Sequence, residues 1–149
     1  MNDEAFRVMD LGMQGFQCSQ ILVQMALEAQ GMQNPELVRA MSGLLGGMGC
    51  GKTCGALTGG CCVLGLYAGK DSAERNADGR LQGMLDRFVE WFEAEYTARY
   101  GGTNCSEIVQ DDMRNKIARC PTIVMESLQK LKEILAENNY EFSKPTHSG

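Results

Sequence analysis

A chain of 149 residues with 44% hydrophobic and 22% charged residues reads as one globular domain with its own core. Its net charge of −5 argues against nucleic acid and anionic membrane surfaces as main partners. The single histidine, His147, sits in a polar terminal stretch, so imidazole-based metal sites, Cys-His pairs and Ser-His-Asp triads lack their base.

The elements follow in chain order. Residues 3–13 place Phe6, Met9 and Met13 at helical spacing. After Gly15 comes Cys18, in the first turn of a second helix carrying Ile21, Leu22, Met25 and Leu27 and ending near Gly31. Asn34-Pro35 is an N-cap followed by proline at the first helical position, and that short helix runs to about Ser42. It dissolves into a glycine-rich loop, Gly46 to Thr53, that delivers Cys54 to the start of a central helix reaching Ala68. The glycines of that helix cost propensity, so it needs close neighbours.

Asp71-Ser72-Ala73-Glu74 reads as a capping box opening the next helix. Leu81, Met84, Leu85, Phe88, Trp91, Phe92 and Tyr96 then form an apolar stripe down to Tyr100, suited to a core or to a homodimer face. Gly101 and Gly102 stop it, and Cys105 opens a short helix through Val109. Asp111-Asp112 offers another start, and Cys120-Pro121 repeats the cap-plus-proline pattern before the last long helix. Residues from about 139 to 149 read as a polar tail. The whole is an all-α single-domain bundle of five to seven helices. No basic-then-apolar leader and no apolar run of ~20 residues is visible, so the expectation is a cytoplasmic protein without membrane insertion. In that compartment structural disulfides are rare, and seven cysteines need another explanation.

Cys18, Cys54, Cys105 and Cys120 each fall at a predicted helix start, where unpaired N–H groups and the dipole favour thiolate. They are expected to converge on one site despite their separation in sequence. Cys54 is expected to dominate, with Lys52 adding positive charge. Two uses compete. Four thiolates could hold an iron–sulfur cluster or another thiophilic metal for electron transfer with a donor or acceptor protein. Alternatively Cys54 attacks as a thiolate and Cys105 or Cys120 resolves it, with no metal. Cys50, Cys61 and Cys62 could extend a metal site or supply a resolving thiol, but read more simply as loop and packing residues. A third alternative is an anion- or nucleotide-binding module. Gly46-x-x-x-x-Gly51-Lys52-Thr53 matches the phosphate-loop pattern, with Gly51, Lys52 and Thr53 as its binding residues. That motif needs a preceding strand, and Glu36 to Met41 reads as helix.

The order Cys18, Cys54-Gly55-Ala56-x-x-Gly59, Cys105, Cys120-Pro121 resembles the redox-active family named for its C_GCAxxG_C_C pattern. The family's name writes Gly-Cys-Ala where this chain has Cys-Gly-Ala. The resemblance runs from Phe16 to the last helix. It implies an all-helical domain with four signature cysteines, matched by these four, and assigns nothing to Cys50, Cys61 or Cys62. The chain is also similar to the iron–sulfur part of split-Soret cytochromes, a likeness that implies a cluster.

Overall fold

Glycine spacing sets how this molecule packs. A computed structural model describes residues 2–144, and His147 lies outside the described residues. Among these, seven α-helices and no strand form an all-α bundle: α1 Asp3–Met13, α2 Cys18–Ala29, α3 Pro35–Ala40, α4 Gly55–Ala68, α5 Leu81–Tyr100, α6 Cys105–Val109 and α7 Met113–Glu137. A 3-10 helix, Met41–Leu44, extends α3.

α4 is the central helix, packed against α2, α5 and α7. A Cβ at Gly59 would stand 2.7 Å from the Cα of Ser19, and one at Gly55 would stand 2.5 Å from the Cys18 sulfur. Gly60 abuts the Phe88 ring in the same way. The propensity lost to these glycines therefore allows α2 and α5 to touch the α4 backbone, and the buried Leu22, Leu27, Val63, Leu64, Phe88 and Leu128 fill the space around it. Each such side chain contributes about 1.5–3 kcal/mol when fully buried. Ser19, itself buried, donates its hydroxyl to the Met41 carbonyl at 2.9 Å, and Gln20 donates to Ser42 Oγ at 3.0 Å, so α2 also fixes the α3 segment.

Local capping decides most helix starts. Asn2 accepts from the Ala5 N–H at 2.8 Å, Asn34 from Leu37 at 3.1 Å, and Asp112 from Arg114 at 2.9 Å. Asn104 and Glu107 form a reciprocal capping box on α6.

Four expectations are corrected. Asp71 to Glu74 opens no helix: residues 69–80 are irregular, with a Ser72–Arg75 bridge, and α5 begins at Leu81. The Asp78 carboxylate is held by Arg80 and by the Tyr140 hydroxyl, which occupies this segment in tertiary contacts. Cys120 is not a helix start. α7 begins seven residues earlier at Met113, and Pro121 lies inside it on an exposed side, where the N–H that proline lacks is tolerated. Within the stretch read as a polar tail, the described residues 139–144 pack on the core through Tyr140 and Phe142. Tyr67 donates to the Phe142 carbonyl at 2.5 Å, and its ring stacks on Phe142 at 5.9 Å. Finally, on α1 it is Val8 and Leu11 that are buried, whereas Phe6, Met9 and Met13 are exposed. The aromatic stripe of α5 is spent inside the chain: Met84, Phe88, Phe92 and Tyr96 are buried. No helix among the described residues is long and apolar enough to cross a membrane.

Candidate functional site

Four separate elements bring four thiols to one place. Cys18 is the first residue of α2, and Cys54 is the N-cap of α4. Cys105 is the first residue of α6, and Cys120 stands inside α7. All four line a single cavity of about 580 Å³. Its walls are mainly apolar, formed by Phe16, Ile21, Ile108 and Val124 among others. Cys50, Cys61 and Cys62 do not line it.

The glycine-rich loop places Cys54. Its backbone is left-handed at Gly46, Gly47, Gly49 and Gly51, and also at Met48 with φ 60. A side chain at Gly47 would strike the Lys52 backbone, so the reversal depends on glycine there. The loop then meets the segment before α6 in an isolated antiparallel bridge between Thr53 and Asn104. Across it the Cys54 N–H donates to the Thr103 carbonyl at 2.9 Å, and the Cys105 N–H donates to the Lys52 carbonyl at 2.6 Å. Two thiols 51 positions apart are thus fastened to each other through backbone. α6 is tied to α7 by Arg119 donating to the Ile108 carbonyl at 2.9 Å and Asn115 donating to the Val109 carbonyl at 3.1 Å. This sets Cys120 beside Cys105.

The same bonds explain what the loop is not. No strand precedes it, the helix starts beyond Cys54 rather than at Lys52, and the Lys52 N–H donates to the Gly47 carbonyl at 3.2 Å. Gly51 packs on Ser106, and Thr53 pairs with Asn104. Gly51, Lys52 and Thr53 therefore serve the junction with α6, and the phosphate-loop context is missing.

The electrostatics also depart from expectation. Burial pushes the Cys54 thiol up to about 12, and the neighbouring Cys18 and Cys120 push the same way. The N–H groups of Ala56 and Leu57 in the first turn of α4 draw it down, as a helix start should, but burial outweighs them. Cys18 rises to about 11 from burial, with Cys120 and Cys105 adding to it, and Cys120 rises from burial and from Cys105. These thiols therefore hold their protons at neutral pH, against the thiolate expected at helix starts. Lys116 opposes the rise at both Cys18 and Cys120, and it is the one charged side chain among the described residues lining the cavity. Lys116 was not singled out from sequence, although it lies four residues before Cys120 and hence on the same helix face.

Outside the cavity, Cys61 packs on the core and burial raises it to about 11, while Cys62 is exposed. Cys50 is exposed, with its sulfur 3.3 Å from the Gly47 carbonyl. All seven cysteines are free thiols. Among the described residues, no three His, Cys, Asp or Glu side chains stand where they could hold a metal ion. By chemical type the four cavity cysteines are soft sulfur donors, the kind thiophilic metals take.

Among curated proteins and among solved structures none matches this chain. The family described as "Putative redox-active protein (C_GCAxxG_C_C)" matches residues 16–134, a span that contains all four cavity cysteines. The chain belongs to this redox-active C_GCAxxG_C_C family.

Proposed function

We propose that the protein is an electron carrier whose Cys18, Cys54, Cys105 and Cys120 hold an iron–sulfur cluster. The observation that carries this reading is the convergence of these four thiols on one apolar cavity. Thiolates are the ligands of such clusters, and a shielded, water-poor setting with a nearby cation tunes their potential. A cluster spreads its ligands over several iron atoms, so it tolerates sulfurs standing further apart than one ion does. When bound, the cluster would supply reversible one-electron storage. The chain's own residues bury Cys54 and half-bury the other three, fasten Cys54 to Cys105 through backbone, and bring the Lys116 ammonium near Cys18 and Cys120.

Anaerobic reconstitution with ferrous iron and sulfide tests this. The wild type should turn brown and retain iron and sulfide after desalting, and Cys54→Ser should retain neither. A colourless wild-type protein without iron would overturn the cluster. The competing reading is a dithiol–disulfide protein, favoured by the free state of all four thiols. It predicts instead that mild oxidation removes two titratable thiols, and that Cys54→Ser prevents this.

A further inference from the structure

The cavity is larger and more apolar than four thiols require. Its volume of about 580 Å³ lies within the range of sites that enclose a small organic molecule. Its lining includes Met9, Met13, Met113 and Ile117, which are 50%, 86%, 64% and 70% exposed. Exposed apolar residues gathered at a single opening mark a binding site more often than chance, and methionine side chains adapt to varied shapes. Lys116 adds one cation at the thiol end.

We propose that this chamber binds a lipophilic quinone, its ring against the apolar walls and one ring oxygen on the Lys116 ammonium. The inference rests on the redox reading of the four thiols and names the small-molecule ligand of that same site. Three features select the class. The walls want an apolar body. A single ammonium wants one oxygen acceptor, and it favours the negative charge that develops there when a quinone is reduced. The position beside four thiols gives a redox-active ligand a purpose that an inert lipid lacks. Binding itself forms and breaks no covalent bond.

The test is anaerobic equilibrium dialysis of the reduced full chain against durohydroquinone. Its ring is fully substituted, so thiols cannot add to it, and it cannot oxidise them. Saturable binding to one site is expected. Gly12 lines the chamber on α1, and a Cβ there meets nothing within 4 Å, so Gly12→Phe adds a ring at the chamber with no clash at its Cβ. Gly12→Phe and Lys116→Gln should each weaken binding by roughly ten-fold or more, as loss of a site wall or of a hydrogen bond to a charged group does. Cys62→Ala, outside the chamber, should leave it unchanged. Absence of saturable binding, binding indifferent to both substitutions, or tighter binding of myristate at the same site would each overturn the proposal. If Gly12→Phe fails to fold, Lys116→Gln carries the same decision. Iron content after reconstitution is measured in parallel. A wild type that binds the quinol but takes up no iron overturns the cluster and supports the quinone site. A wild type that takes up iron but binds no quinol does the reverse.

Discussion

Cys54 sits where two influences oppose each other, and their balance has a pH signature. Its thiol ionises near 9.0 when solvated but is held up to about 12 in the fold, chiefly by burial. The folded state therefore keeps a proton that the unfolded chain gives up. This contribution to stability is complete below pH 9.0 and is lost as pH rises toward about 12. The urea midpoint of the reduced, metal-free protein should fall between about pH 8.5 and pH 10.5, and fall less in Cys54→Ala. Iron uptake should weaken on acidification, because each thiol must surrender its proton to bind. Cys61→Ala and Cys62→Ala should keep full iron content and lose only about 1 kcal/mol of stability. Equal loss of iron in those variants and in Cys54→Ser would refute the assignment of the four cavity cysteines.

At the level of elements, the glycines of α4 divide by what faces them, and substitution should sort them. Gly59→Ala drives a methyl into the Ser19 backbone and should destabilise by about 1–3 kcal/mol. Gly55→Ala meets the Cys18 sulfur and should reduce iron retention as well as stability. Gly65 faces open space, so Gly65→Ala should stabilise by about 0.5–1 kcal/mol through helix propensity alone. Thermal melts of the three variants check the ordering. The sequence carried much of this level in plain view. The Asn34-Pro35 start, the Asp112 cap and the bounds of α1 are local signals, and the fold keeps them. Cys120-Pro121 misled because proline is equally a helix opener and a tolerated interior residue on an exposed face, and only the tertiary anchors Asn115 and Arg119 show which applies. Asp71 to Glu74 misled because a capping box needs a helix to follow, and the chain here turns back in a Ser72–Arg75 bridge while Asp78 and Arg80 just before α5 engage Tyr140.

For the whole molecule, the four cavity cysteines could be listed from the sequence, and their environment could not be read there. Four cysteines in similar local contexts pointed to convergence, and all four face one cavity. The raised proton affinities of Cys18, Cys54 and Cys120 could not be read, since burial depends on how α1, α2, α6 and α7 close around them. Lys116 was available from spacing alone but gains meaning only once α6 and α7 are docked. The C-terminal aromatics illustrate the same limit. Tyr140 and Phe142 looked like tail because the residues around them are polar, yet they cover Tyr67 on the core helix. Phe142→Ala should cost about 1 kcal/mol, visible as a lower urea midpoint with unchanged iron content.

The bridge between Thr53 and Asn104 gives the site a clock. The amide hydrogens of Cys54 and Cys105 are locked by the same pair of crossing bonds, so neither can be released to solvent alone. In deuterated water both should label in a single event, at one common rate, although 51 positions separate them. Occupancy of the thiols would slow both together, so one pair of amides reports from the backbone how often the thiol-lined end of the protein opens.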